Sequence, residues 1–134
     1  HLLLAALKQV CSPDICQRGS NINEERLRFD FNFSRKLTDE EVARGEELVN
    51  GQIKLDIPVV MQEMTLEEAK NLGFTGVFDS KYGEVVKTYS IGEFSREICG
   101  GPHAEHTGLL GTFRIAKQEN VSAGVKRIKA VLIR

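Results

Sequence analysis

The motif Cys99-Gly-Gly-Pro-His103 constrains this chain more than any other feature when it is read together with His1. A cysteine and a histidine separated by three residues can bind one zinc ion if the loop between them folds back, and two glycines and a proline permit such a loop. His1 begins an apolar stretch that predicts a helix. Three candidate ligands therefore lie at the two ends of the chain. A three-ligand zinc site with a vacant position suggests chemistry rather than scaffolding.

The composition is that of a single globular domain, with 134 residues, 41% hydrophobic and 28% charged. The apolar runs are too short to span a membrane, and no basic segment precedes the first one, so we expect a cytoplasmic protein. Three cysteines without framework spacing favour free thiols in a reducing compartment, with Cys11 and Cys16 as small buried or half-buried residues. The chain begins inside a predicted helix and not at a methionine, so we expect a fragment of a longer protein, truncated at its N-terminus.

Charge is distributed unevenly along the chain. The 18 basic and 19 acidic residues give a net charge of −1, which excludes a uniformly basic nucleic-acid binder. Residues 38–68 carry nine acids against two bases, whereas residues 114–134 carry six bases against one acid. The C-terminal segment can therefore form a face that attracts phosphates, or equally a solvated strand edge dressed with lysine and arginine.

Apolar periodicity and capping signals predict both helices and strands. Capping boxes at 38–41 and 65–68 predict a helix that runs to about Leu55 and a short one that stops at Gly73. The segment 26–31 alternates polar and apolar residues, which is typical of a half-buried strand. The other predicted elements are a helix at 1–10, strands at 15–22, 58–64, 85–91, 112–116 and 125–133, and a turn at 120–124. The order favours one α+β domain over residues 1–134, with a mixed, largely antiparallel sheet packed with a few helices.

Several segments together resemble one family. They are His1-Leu-Leu leading an Ala-rich helix, Gln17-Arg-Gly-Ser20, Arg28-Phe-Asp-Phe31, Cys99-Gly-Gly-Pro-His103 and Ala123-Gly-Val-Lys-Arg-Ile128. In this order, over almost the whole chain, they are similar to the editing domain of alanyl-tRNA synthetase and its free-standing relatives. The editing domain of threonyl-tRNA synthetase is a more distant cousin. The combination is specific, although each segment alone would be a weak signal.

The resemblance implies a fold like the threonyl/alanyl-tRNA synthetase second additional domain and a hydrolytic function. Such domains deacylate tRNA(Ala) wrongly charged with serine or glycine, and they hold one Zn²⁺ through a His-x-x-x-His pair and a Cys-x-x-x-His pair. Cys99 and His103 match the second pair, and His1 matches the second histidine of the first. The other histidine would fall four residues before His1. The implied partners are the acceptor end of tRNA(Ala) and the rest of the parent synthetase, with no membrane.

Further candidate residues follow from what ester hydrolysis needs. Gly100 and Gly101 can bring backbone N–H groups close to an oxyanion, and Cys99 joins them as a catalytic candidate. Gln17 matches a glutamine lining the family's editing pocket, and its amide can donate and accept; the alternative is an ordinary surface residue. Lys126 and Arg127 are candidate contacts for tRNA phosphates, or else the solvated end of a strand.

Three functions compete at this point. The first is an editing domain that belongs to an alanine-tRNA ligase, and the second is a free-standing deacylase with the same chemistry. The third is a domain with a structural zinc that binds tRNA without catalysis. No Ser-His-Asp arrangement is apparent, so we expect no covalent acyl-enzyme.

Overall fold

The computed structural model describes residues 1–23, 25–74, 85–99 and 103–133, and these form an α+β fold with antiparallel sheets, as predicted. Its helices are α1, Leu2–Val10, α2, Asp39–Lys54, and α3, Leu66–Asn71. Its strands are β1, Gln17–Ile22, β2, Arg26–Asn32, β3, Val59–Thr65, β4, Val85–Ile91, β5, Ser95–Ile98, β6, Thr112–Ser122, and β7, Val125–Ile133.

A four-stranded antiparallel sheet, in the order β1-β2-β7-β6, carries the main core. Phe29 lies opposite Ile128 in neighbouring strands, and both are buried. Because side chains alternate between the faces of a strand, Leu27, Phe29 and Phe31 share the face that contacts this core, as the sequence pattern predicted. The opposite face of the sheet carries mostly charged side chains.

Helices α1 and α2 cover the apolar face of that sheet. Five of the nine residues of α1 are buried in the main core: Leu2, Leu3, Leu4, Ala6 and Leu7. Helix α2 begins with the predicted capping box, since the Thr38 hydroxyl accepts from the Glu41 N–H and the Glu41 carboxylate accepts from the Thr38 N–H. Val49 and Ile53 are its buried apolar residues, and their spacing of four puts them on one face of the helix. Helix α3 has the first of these two bonds, from the Glu68 N–H to the Thr65 hydroxyl.

A second, three-stranded antiparallel sheet has the order β3-β4-β5. One face packs on α3 and forms a small second core from Ala69, Phe74, Val86 and Ile98. Residues whose side chains lie on the opposite face of this sheet, such as Ile91 in β4, point toward the main core. This sheet therefore separates the two apolar clusters, and its β5 strand has a different environment on each face.

The structure corrects three predictions. Strand β6 runs from Thr112 to Ser122, well past residue 116, and the hairpin turn lies at Ala123-Gly124, where Gly124 has a φ of +76°. Its second half has few apolar residues because it forms an exposed edge, and two register shifts break its alternation. Strand β1 begins at Gln17 and not at residue 15. Cys11 is half-buried as expected, but Cys16 is exposed.

Among the residues that the structure describes, we find no helix with the length and apolar character needed to cross a membrane.

We predict that an ion pair at the start of α2 makes the free energy of unfolding depend on pH in the acidic range. Arg35 donates two hydrogen bonds to the Glu41 carboxylate and holds its pKa down at about 2, against an ordinary value of 4.5. A carboxyl whose pKa is lowered by folding stabilises the fold above its ordinary pKa and loses that contribution as the pH falls through the folded value. Arg35→Met should therefore lower the free energy of unfolding slightly near neutral pH, since the Arg35 side chain is exposed.

The measurement is urea unfolding of both proteins between neutral pH and about pH 2. The difference between them should shrink as Glu41 becomes protonated. A difference that stays constant over this range would contradict the assignment to the ion pair.

Candidate metal centre

The structure brings together the three side chains, distant in the sequence, that were identified as candidate ligands. One ligand atom each from His1, Cys99 and His103 lies within 4.8 Å of the other two. His1 is the N-cap residue of α1, Cys99 follows β5 directly, and His103 lies on the far side of the Gly-Gly-Pro segment. All three are partly buried. The centre therefore lies where α1 meets the second sheet.

His1 is held from both sides of its ring. Its Nε2 faces the Nε2 of His103 at 2.5 Å, and its Nδ1 lies 3.0 Å from a carboxylate oxygen of Glu97. Burial lowers the pKa of His1, but interactions with Cys99 and Glu97 outweigh this effect and raise it to about 9. A proton on this ring therefore competes with any metal ion that binds there.

His103 contacts two rings in different ways. It stacks on Tyr89 with ring centroids 3.6 Å apart, and it lies edge to edge with His1, nearly coplanar, with centroids 4.6 Å apart. Its Nδ1 is buried and, within the part of the chain that the structure describes, has no hydrogen-bond partner. A buried polar atom of this kind needs an explanation, such as an absent water or ion.

The residues present fit a zinc ion. Two imidazole nitrogens and a thiol are ligands that zinc prefers, and the three ligand atoms all lie within 4.8 Å of one another. His1, Cys99 and His103 could therefore hold one cation together. Three protein ligands would leave one position of a tetrahedral site for a water, a substrate or a further ligand.

Strand geometry explains how Cys99 reaches the centre. The Cys99 N–H donates to the Lys87 carbonyl at 3.1 Å, which extends the β4–β5 pairing by one step beyond β5. Since side chains two apart on a strand share a face, Glu97 and Cys99 point the same way. Tyr89 is the cross-strand partner of Glu97, so it lies on this face as well. The opposite parity, including Ile98, belongs to the second core.

The chain after His103 is anchored on α2 and β3. The Val59 N–H donates to the Glu105 carbonyl at 2.9 Å. Thr107 is buried; its hydroxyl donates to the Gln52 carbonyl and accepts from the Ile57 N–H, both at 2.8 Å. His106, which the sequence analysis did not assign as a ligand, pairs with Asp56 at the surface. These contacts hold the segment that carries His103 against the rest of the fold.

Two residues of the site were missed by sequence reasoning, namely Glu97 and Tyr89. Glu97 is only 6% exposed and contacts His1 directly. Its position two residues before Cys99 on a strand was a usable signal, because the alternation of a strand puts both side chains on one face. Nothing in the local sequence identifies Tyr89, since its place follows from the pairing of β4 with β5.

The other catalytic candidates are less constrained by the structure. Gln17 is half-buried at the start of β1, opposite Phe31, and donates from its amide to the Ser20 hydroxyl at 2.8 Å. It therefore lies on the sheet face that carries the main core. Gly100 and Gly101 lie outside the described residues.

The two candidate tRNA contacts lie on opposite faces of β7. Lys126 and the core residues Ile128 and Ala130 are alternate residues along β7, so the Lys126 side chain lies on the same, core-facing side, and it is only 8% exposed. Arg127 points to the outer face, where it donates two hydrogen bonds to Asp30 and lowers the pKa of that carboxyl. Other basic side chains are more accessible on this outer face: Arg26, Arg114, Lys117 and Lys129. Phosphate binding by Lys126 and Arg127 stays a prediction.

A cleft of about 260 Å³ lies beside the metal centre, between α1 and β5. Its lining includes Lys8, Arg96 and Glu97, and Glu97 also contacts His1. Glu97 therefore links the cleft to the candidate ligand His1.

The chain is similar in sequence to known proteins. Residues 86–129 match the family model described as the threonyl and alanyl tRNA synthetase second additional domain. The chain is 53% identical over 132 residues, 98% of its length, to an alanine–tRNA ligase of Treponema denticola, and 51% identical over the same length to that of Treponema pallidum. It is 50% identical over 133 residues to the alanine–tRNA ligase of Borreliella burgdorferi.

The match covers 22% of the length of each of these relatives, so the chain corresponds to one part of a much longer protein in each case. That part includes the β4–β5 pair, Cys99 and His103 within the segment matched by the family model. The family-model match and the relatives at about 50% identity over nearly the whole chain support its assignment to the threonyl and alanyl tRNA synthetase second additional domain.

Proposed function

We propose that this chain is an editing domain that hydrolyses the ester bond of tRNA(Ala) mischarged with serine or glycine. The observation that carries the proposal is the meeting of His1, Cys99 and His103, a donor set suited to zinc. The similarity to alanine–tRNA ligases over 98% of the chain supports tRNA(Ala) as the tRNA to which the mischarged amino acid is attached. The proposal includes action within a larger synthetase, since the chain spans 22% of its relatives.

The chemistry of the two amino acids explains why such a site is needed. Serine differs from alanine by one hydroxyl, and a pocket built around a methyl group rejects it only weakly. Glycine is smaller than alanine and cannot be excluded by size. A second site can select serine by hydrogen-bonding its hydroxyl, because alanine would leave those polar groups unpaired.

The residues of the chain divide this work among them. His1, Cys99 and His103 would hold the zinc ion, which when bound supplies Lewis acidity at the open side of the cluster. Gln17 would orient the substrate or the attacking water through its amide. The N–H groups of Gly100 and Gly101 would donate to the oxyanion that develops on the ester carbonyl. The reaction breaks the ester by addition of water and needs no covalent enzyme intermediate.

Binding of the tRNA acceptor end would depend on cations and shape rather than on base edges, because this end is single-stranded. Of the two proposed phosphate contacts, Arg127 lies on the outer face of the sheet, whereas Lys126 is only 8% exposed on the core-facing side. The exposed side chains of Arg114 and Lys117 on the outer face of the same sheet add to the positive charge around Arg127.

We predict that Cys99→Ser lowers the rate of Ser-tRNA(Ala) deacylation by about 100-fold or more, since changes to residues that merely support metal ligands cost 10–100-fold. The assay compares Ser-tRNA(Ala) with Ala-tRNA(Ala), with and without a zinc chelator, in the full-length natural protein that carries this sequence. Cys16→Ser is the matched control, because Cys16 is an exposed thiol outside the cluster.

Two results would contradict this prediction. If Cys99→Ser deacylated Ser-tRNA(Ala) at the wild-type rate, the cluster would have no part in the reaction. A folded, zinc-loaded wild-type protein that binds tRNA in a salt-dependent way without turnover would favour the non-catalytic binding module.

We also predict that zinc stabilises the fold through the same cluster. At a free zinc concentration about 100 times its dissociation constant, the free energy of unfolding should rise by about 2.7 kcal/mol. Thermal unfolding of the metal-free protein, with and without added zinc, measures this effect. The gain should be retained in Cys16→Ser and largely lost in Cys99→Ser, and equal gains in both variants would place the zinc elsewhere.

A further inference from the structure

Glu97 is a buried carboxylate that directly contacts a proposed metal ligand. The residue is 6% exposed, and one of its oxygens lies 3.0 Å from the Nδ1 of His1. We propose that Glu97 is a positioning residue, which holds the His1 imidazole so that its Nε2 points at the metal. The inference rests on the metal centre of the proposed function and assigns a role to a residue outside the ligand set.

The two nitrogens of His1 have separate partners. Nδ1 contacts Glu97, and Nε2 faces His103 on the other side of the ring. A hydrogen bond from Nδ1–H to a carboxylate fixes the tautomer in which Nε2 carries the lone pair, and it also fixes the rotation of the ring. Metal-binding histidines commonly have such a partner, and its loss weakens metal binding or activity.

Glu97 is itself held rigidly. It lies in β5, and its backbone pairs with Tyr89 in β4. Its neighbours Ser95 and Ile98 are buried, so the strand has little freedom to shift. A buried carboxylate is costly unless it has a polar partner, and His1 supplies one. The position of the imidazole is thereby tied to the sheet and does not depend on α1 alone.

His103 provides a contrast within the same centre. Its Nδ1 has no hydrogen-bond partner among the described residues, and its ring stacks on Tyr89. Glu97 thus contacts the Nδ1 of His1, whereas within the part of the chain that the structure describes no group bonds the Nδ1 of His103. Removal of the Glu97 side chain should affect metal binding more than removal of a nearby exposed acid.

The experiment measures Co²⁺ and Zn²⁺ affinity of the full-length protein by competition with a chromophoric chelator, together with the Co²⁺–thiolate absorption band. Cys99→Ser identifies the band that belongs to this centre. The variants are Glu97→Gln, which keeps an acceptor but loses the charge, and Glu97→Ala, which loses both. Glu63→Gln is the control, because Glu63 is an exposed acid on β3 of the same sheet.

We expect affinity to fall by about 10-fold in Glu97→Gln and by about 100-fold in Glu97→Ala, with the control unchanged. The thiolate band should persist at saturating cobalt in all three, because Cys99 remains a ligand. This graded loss with an intact band is the signature of positioning rather than of direct ligation.

Several results would overturn the inference. If Glu97→Ala bound metal as tightly as Glu63→Gln, the contact between Glu97 and His1 would have no effect on metal binding. A loss of metal binding that accompanies an equal loss of thermal stability in the metal-free protein would make the role purely structural. The inference would also be overturned if the wild-type protein showed no cobalt–thiolate band, or if Cys99→Ser did not remove that band. Deacylation is measured separately, so a failure here does not decide the proposed function.

Discussion

The burial of α1 against the main core is the interaction on which the rest of the structure depends. Five of its nine residues are buried, and four of these are leucines. A fully buried leucine contributes about 1.5–3 kcal/mol, so the docking of this helix is a large favourable term. His1 precedes the helix directly, so the packing of its leucines decides where the imidazole lies. Weak docking of α1 would disperse the cluster even if every ligand were present.

The second sheet completes the site because its two faces differ. One face of β4 and β5 packs with α3 in the second core, through residues such as Val86 and Ile98. The other face carries Tyr89, Glu97 and, just beyond the strand, Cys99. Successive residues of a strand point to opposite faces, so Ile98 packs in the second core while the next residue, Cys99, is a candidate metal ligand. Cys99 continues the β4–β5 pairing by one step, which limits the freedom of this candidate ligand.

Much of this arrangement follows from local sequence patterns. The alternation of 26–31 and the Thr38 capping box are strong local signals, and the elements that they predict are present. The apolar face of α2 was also readable from helical spacing. The meeting of His1 with Cys99 and His103 followed from ligand chemistry and the family resemblance, since no local pattern specifies a contact between residues about a hundred positions apart.

Other features depend on tertiary context. The end of β6 was missed because an edge strand exposes both faces and needs no apolar alternation. Lys126 was chosen for its charge, although its parity with Ile128 already indicated the core-facing side. Tyr89 could not be found without the β4–β5 register, because its relation to Glu97 exists only across strands.

Both edges of the four-stranded sheet are irregular, and this bears on how the protein avoids self-association. The pairing of β6 shifts register at Ile115/Lys117 and again at Asn120/Ser122, and that of β1 shifts at Gln17/Gly19. Bulges and charged side chains disrupt the flat row of N–H and C=O groups that another strand would need for pairing. The same irregularities that obscured β6 in the sequence thus protect the sheet against edge-to-edge aggregation.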